Sequence, residues 1–226
     1  MAVPAYDLRD EKQAKEYLKN IGIEFRFQCY SEKSAEGCHR LADFLESIQK
    51  DFEKAAKVFQ TNCDDNNYGH SCYKFGNYRV LGRGCEKKMD DALKYHVKAC
   101  ELGYMPGCHN AGLIYGGGKV GDKDFRKALE YFIKACNNDY QFGCYQASGL
   151  YISGRKDVPK DMAKAFKYSV KACELGNMYA CSNVSQMYQK GDGVKKDERL
   201  SEKYKQQAKE MADAVNKAQR TLTFGQ

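Results

Sequence analysis

Two patterns of apolar and polar positions alternate along the chain. In the first, an alanine lies eight residues and an aromatic or valine five residues ahead of a cysteine: Ala55, Val58 and Cys63; Ala92, Tyr95 and Cys100; Ala128, Tyr131 and Cys136; Ala165, Tyr168 and Cys173. Positions three and four apart share a helical face, so each set predicts one buried stripe. In the second, a cysteine is followed four residues later by a small residue: Ala42, Gly76, Gly112, Ser148 and Ser185. Six or seven residues after the same cysteine comes an aromatic: Phe44, Tyr78, Tyr115, Tyr151 and Tyr188. The small residue lets a neighbouring helix approach closely, and the aromatic fills the next gap.

The two patterns predict two kinds of helix. Helix A is expected over 37–48, 71–81, 107–116, 143–153 and 180–190. Helix B is expected over 51–63, 89–100, 124–136, 161–173 and 197–215. Glycine turns separate A from B, at Gly82-Arg83-Gly84, Gly116-Gly117-Gly118, Gly154 and Gly191-Asp192-Gly193. A glycine past a helix end supplies the left-handed cap. Asp51, Asp90, Asp124, Asp161 and Asp197 are placed to cap the B helices. The first cysteines fall at 29, 63, 100, 136 and 173, in steps of 34, 37, 36 and 37, a period that means stacked helix pairs. The division is then a helix over 8–28, repeats over 37–63, 71–100, 107–136 and 143–173, a fifth repeat or cap over 180–215, and a tail over 216–226. The last B helix carries Lys209 where the cysteine would stand, as a polar capping unit should.

Ten of the eleven cysteines form close pairs: Cys29 and Cys38, Cys63 and Cys72, Cys100 and Cys108, Cys136 and Cys144, Cys173 and Cys181. Zinc sites ordinarily space ligands two to four residues apart, and no pair here is that tight. Disulfides and buried free thiols are the other readings, and regular pairing favours disulfides formed in an oxidising compartment. Along one helix, members of a pair would sit about 13 Å apart, whereas a bridge needs a Cα separation of roughly 4.4–6.8 Å. The first cysteine must therefore end helix B and the second open the next helix A, so each bridge clips one repeat to the next. A loop of this size is worth about 2–3 kcal/mol through the unfolded state. Cys85 is left over, where other units carry Val120, Val158 and Val194. It reads either as a small apolar residue under the turn or as a free thiol activated by Arg83, Lys87 and Lys88.

Charge removes several functions. The net charge of +7 is spread as Lys-rich helix faces, with no basic run interleaved with aromatics and no nucleic-acid motif. No apolar run is long enough to span a membrane. Residues 1–20 lack a signal-peptide core, and Asp7, Asp10, Glu11 and Glu16 are foreign to an acid-poor matrix presequence.

The Gly191-Asp192-Gly193-Val194 turn and the helix B endings Tyr95 to Cys100, Tyr131 to Cys136 and Tyr168 to Cys173 resemble the Sel1-like repeat family, a cousin of the tetratricopeptide repeat. The resemblance covers nearly the whole chain and implies an all-α, right-handed α-solenoid stapled by disulfides. Cysteines at these positions are similar to two branches, secreted bacterial proteins and a mitochondrial one. The opening Asp10-Glu11-Lys12-Gln13, the segment from Cys29-Tyr30 through Glu32-Lys33 to Gly37-Cys38, the wider first two pairs and the terminal Leu222-Thr223-Phe224-Gly225 resemble the mitochondrial branch. That implies the intermembrane space, import through the disulfide relay without a cleaved presequence, and a role in assembling cytochrome c oxidase. The implied partners are complex IV subunits or assembly intermediates.

Three functional classes follow. A non-enzymatic scaffold would use a face on which Phe75, Tyr145, Tyr151 and Tyr188 are candidates, with repeat core as their alternative reading. A thiol-redox or haem- or copper-handling factor would use a bridge, or His39, His96 and His109, although no Cys-x-x-Cys or haem-attachment motif is present. A β-lactamase-like hydrolase lacks its Ser-x-x-Lys, Ser-Asp-Asn and Lys-Thr-Gly set. The scaffold, with no catalytic residue, metal or cofactor, is the reading carried forward.

Overall fold

The computed structural model describes residues 6–223, with side chains through 218. Among the described residues are eleven α-helices and no β-strand, only an isolated bridge between Arg155 and Val158. They fall into two compact units that meet in the chain at Tyr104 and Met105. The first unit holds α1 (Glu11–Tyr30), α2 (Ala35–Ser47), α3 (Phe52–Asn66), α4 (Gly69–Leu81) and α5 (Met89–Glu101). The second holds α6 (Met105–Gly117), α7 (Phe125–Asn137), α8 (Gln141–Ser153), α9 (Met162–Glu174), α10 (Met178–Lys190) and α11 (Glu198–Thr223). Within each unit a helix packs mainly on those before and after it, as in a repeat array.

The expected B-helix caps hold at four positions. Asp51, Asp124, Asp161 and Asp197 accept from the backbone N–H three residues on, at 2.9–3.1 Å. Asp90 does not: it lies inside the first turn of α5, whose N-cap is Lys88 with no side-chain hydrogen bond. Asp51, Asp124 and Asp161 each sit twelve residues before their cysteine, and Lys88 occupies that register before Cys100. Asp90 and Asp91 still place negative charge at the positive end of the helix.

The turn glycines do two different jobs. Gly82 and Gly191 adopt the left-handed conformation, at φ 69° and 80°, and donate back to Tyr78 and Met187. The second glycines, Gly84 and Gly193, touch the start of the preceding B helix. A Cβ there would lie 2.1 Å from the Phe52 carbonyl oxygen or 2.0 Å from that of Met162. The Gly-x-Gly turn is thus one cap and one close backbone contact.

The expected core is present. Ala55, Ala92, Ala128 and Ala165 are all fully buried. The small residue of helix A faces helix B four residues before the cysteine, or its neighbour one turn away. Gly112 has no room for a Cβ, which would meet Phe132 at 2.5 Å, and Gly76 is filled the same way by His96 at 2.8 Å. Where both partners are small they hydrogen-bond instead: Ser148 lies 2.6 Å from Ser169, and Ser185 lies 3.2 Å from Ser201.

The final helix departs from expectation. α11 runs to Thr223, so most of the span read as a tail over 216–226 is helical. Between 210 and 223 the sequence holds no Gly or Pro and carries Ala212, Ala214 and Ala218 among good helix formers, so propensity carries the helix on. Phe224 and Gly225, part of the terminal resemblance, lie outside the described residues.

Candidate functional site

Four bridges join a B-helix end to the next A-helix start. Cys29–Cys38, Cys63–Cys72, Cys136–Cys144 and Cys173–Cys181 close at Cα separations of 4.3, 4.7, 4.5 and 4.7 Å. Cys100 and Cys108 are disulfide-bonded too. All ten of these cysteines are at most 7% exposed, so the bridges are part of the core. Cys85 is the free thiol, half-buried and packed on the first unit's core. Burial pushes its thiol up, against the opposing charge of Arg79. Two of the three cations that could activate it are engaged elsewhere: Arg83 lies over Phe52 at 4.1 Å and 3.3 Å from Glu46, and Lys88 faces Asp91. Cys85 is a packing thiol like its register partner Val158, which is 2% exposed.

The histidines are packing residues as well. His96 is fully buried above Gly76, at the position where α7 carries Phe132, and neither ring nitrogen has a hydrogen-bond partner. Burial alone lowers its pKa to about 4. His39, buried on α2, places Nδ1 2.9 Å from the Ser71 hydroxyl and Nε2 3.5 Å from Asp43. Asn62 donates to the same Ser71 oxygen and to the Ala35 carbonyl, locking this polar pocket. Burial, then the neighbouring His70 charge, holds His39 at about 4 against the pull of Asp43. His109, in the second unit, is lowered by burial and packs near Phe132, Tyr140 and Phe142. All three imidazoles are neutral near pH 7. Among the described residues no three His, Cys, Asp or Glu side chains come together to hold a metal ion.

The candidate partner-facing aromatics divide. Phe75 is 1% exposed, edge-on to Tyr95 at 4.6 Å, and Tyr151 is 9% exposed and stacked on Tyr168. These two belong to the core, because the helix A turn carrying them faces helix B. Tyr188 is half-buried, stacked on Tyr204. Tyr145 is half-buried and meets Tyr179 at 6.3 Å.

That last contact belongs to a row not anticipated from the sequence. The residue after the second cysteine of one repeat meets the residue two before the second cysteine of the next. The pairs are His39 with His70 at 4.0 Å, His109 with Phe142 at 6.1 Å and Tyr145 with Tyr179 at 6.3 Å. Phe142 and Tyr179 are 44% and 60% exposed. The signal was an aromatic or histidine recurring two residues ahead of three of the five second cysteines: His70, Phe142 and Tyr179. Such a row offers ring faces to a partner.

The Sel1 repeat family matches residues 66–104, 106–140, 142–177 and 179–213, each segment holding one A and one B helix. The chain is 43% identical to Mus musculus cytochrome c oxidase assembly factor 7 over a 229-residue alignment, covering 97% of this chain and 98% of that one. It is 49% identical to the Drosophila melanogaster cytochrome c oxidase assembly factor 7 homolog over 113 residues, which is 49% of this chain and only 42% of that protein's length. The Sel1 repeat protein from Oxalobacter formigenes shares the fold, with a TM-score of 0.68 at 24% identity over 78% of this chain and 69% of that one. This chain therefore belongs to the Sel1-repeat family, among the cytochrome c oxidase assembly factor 7 proteins.

Proposed function

We propose that the protein is a non-enzymatic assembly factor for respiratory-chain cytochrome c oxidase, acting in the mitochondrial intermembrane space as a binding scaffold for complex IV subunits or assembly intermediates. The observation that carries this reading is the likeness to mouse cytochrome c oxidase assembly factor 7 over nearly all of both chains. Two features support it. Bridges buried at four B-to-A junctions suit an oxidising compartment and entry by the disulfide relay. Stacked repeats with exposed ring faces present a rigid surface, which loses little entropy on binding. Among the described residues no helix is long and apolar enough to cross a membrane, so the chain would meet its client from the aqueous side.

The test is depletion of the protein followed by native electrophoresis of respiratory complexes, with protease protection in intact and osmotically opened mitochondria. Selective loss of assembled cytochrome c oxidase is expected, with the protein protected until the outer membrane opens. Normal complex IV, or protection that persists after opening, would overturn the reading.

A further inference from the structure

The first helix breaks the rule that the other B helices follow at their solvent positions. These are the residues six before, two before and one after the first cysteine of each pair. On α3 and α5 they are Lys57, Thr61 and Asp64, and Lys94, Lys98 and Glu101. On α7 and α9 they are Glu130, Lys134 and Asn137, and Lys167, Lys171 and Glu174. On α1 they are Ile23, Phe27 and Tyr30, exposed at 53%, 57% and 58%. Spacings of four and three residues align them on one helical face over about 10 Å. Lone exposed apolar residues are ordinary, but three large ones in line, where the other B helices place charged or polar residues, mark an interaction face.

Tyr30 also walls a neighbouring concavity of about 270 Å³ in the same unit. Its floor is Leu41, Leu45 and Val58, and its rim carries Arg26, Lys54 and Lys57 with no carboxylate. Asp51 engages Lys54 at 2.6 Å, while Arg26 and Lys57 have no ion-pair partner among the described residues. Among the described helices α1 packs chiefly on α2, which leaves the stripe uncovered.

We propose that the Ile23–Phe27–Tyr30 stripe and this cavity dock an amphipathic helix of a partner protein, apolar along one face and edged with carboxylates. The stripe's i, i+4, i+7 spacing matches a helix seam, and the cationic rim selects the acidic edge. A second copy fits less well, because two-fold pairing of the same patch sets Arg26 and Lys57 against themselves. A membrane surface also fits less well: Glu24 adjoins Ile23, and the apolar cavity floor is recessed. The proposal rests on the scaffold reading and names one surface of it.

The test uses the full-length oxidised protein and a fluorescent synthetic helix about four turns long. The probe carries Leu at i, i+4 and i+7 flanked by Glu, and its counterpart carries Lys in place of Glu. The acidic helix is expected to bind at least about tenfold more tightly than the counterpart. Ile23→Thr with Phe27→Thr, neutral changes at positions the repeat leaves in solvent, should remove that binding with the circular dichroism unchanged. Arg26→Glu with Lys57→Glu should reverse the preference. Equal affinity for both helices, or indifference to either double variant, would overturn the proposal. So would a concentration-dependent dimer, or adsorption to phosphatidylglycerol vesicles, that the threonine variant abolishes, assigning the face to a second copy or to a membrane. Peptide binding is independent of complex IV assembly in cells, so failure here leaves the scaffold reading to its own test.

Discussion

Replacing His96 by phenylalanine should remove one contribution, about 2 kcal/mol, to the protein's acid sensitivity. His96 fills the space above Gly76 as Phe132 fills that above Gly112, so the phenyl ring has a precedent within this chain. The imidazole is fully buried, lacks hydrogen-bond partners and has its pKa lowered to about 4. An unfolded histidine titrates near about 6.5. The unfolded chain therefore takes up this proton first. The contribution is intact above about pH 6.5 and is lost as pH falls toward about 4. Between about pH 7 and about pH 4.5 the loss from this residue is about 2 kcal/mol. At neutral pH, His96→Phe should be neutral or mildly stabilising, since two unsatisfied buried nitrogens disappear. Urea unfolding of the oxidised protein at both pH values measures the effect. His39 and the carboxylates titrate in wild type and variant alike, so the difference between the two isolates His96. Equal losses of stability in wild type and variant would refute this account of His96.

Other predictions probe the repeat's local rules. Gly193→Ala meets both a φ of 71° and a Cβ position 2.0 Å from the Met162 oxygen, and should cost about 3 kcal/mol or more. Gly121→Ala, at φ 69° with nothing within 4 Å, should cost only about 1 kcal/mol, both variants being read by thermal melts. Ser148→Ala strands the buried Ser169 hydroxyl and should cost about 1–2 kcal/mol, with Ser148→Ala plus Ser169→Ala costing less than the sum in a double-mutant cycle. Lys88→Asp restores the missing cap of α5 and should add about 1 kcal/mol to stability, read by denaturant midpoint.

Periodicity exposed most of the fold because each repeat reuses the same offsets. Nearly every predicted boundary lies within two or three residues of the observed one, since caps, glycines and cysteines mark both ends of each helix. The exceptions have local causes. No glycine or proline stands near 215, where the repeat register suggested that α11 would stop, and propensity carried the helix past it. Phe75 and Tyr151 were as readable for core as for surface, because periodicity locates a face without saying what covers it. The His70, Phe142 and Tyr179 row depends on where one repeat meets the next, which a single repeat's pattern does not contain. The apolar stripe on α1 emerges only when its positions are set against those of the other B helices. Of the two readings of Cys85, the local geometry favours packing, because Arg83 and Lys88 turn to Glu46 and Asp91.

Non-reducing peptide mapping of the native protein, with free thiols alkylated beforehand, tests the clipped-repeat account most directly. The account predicts bridges 29–38, 63–72, 136–144 and 173–181, together with the 100–108 bridge expected from the spacing, and Cys85 as the alkylated cysteine. Crossed pairings, or several alkylated cysteines in the native protein, would contradict it.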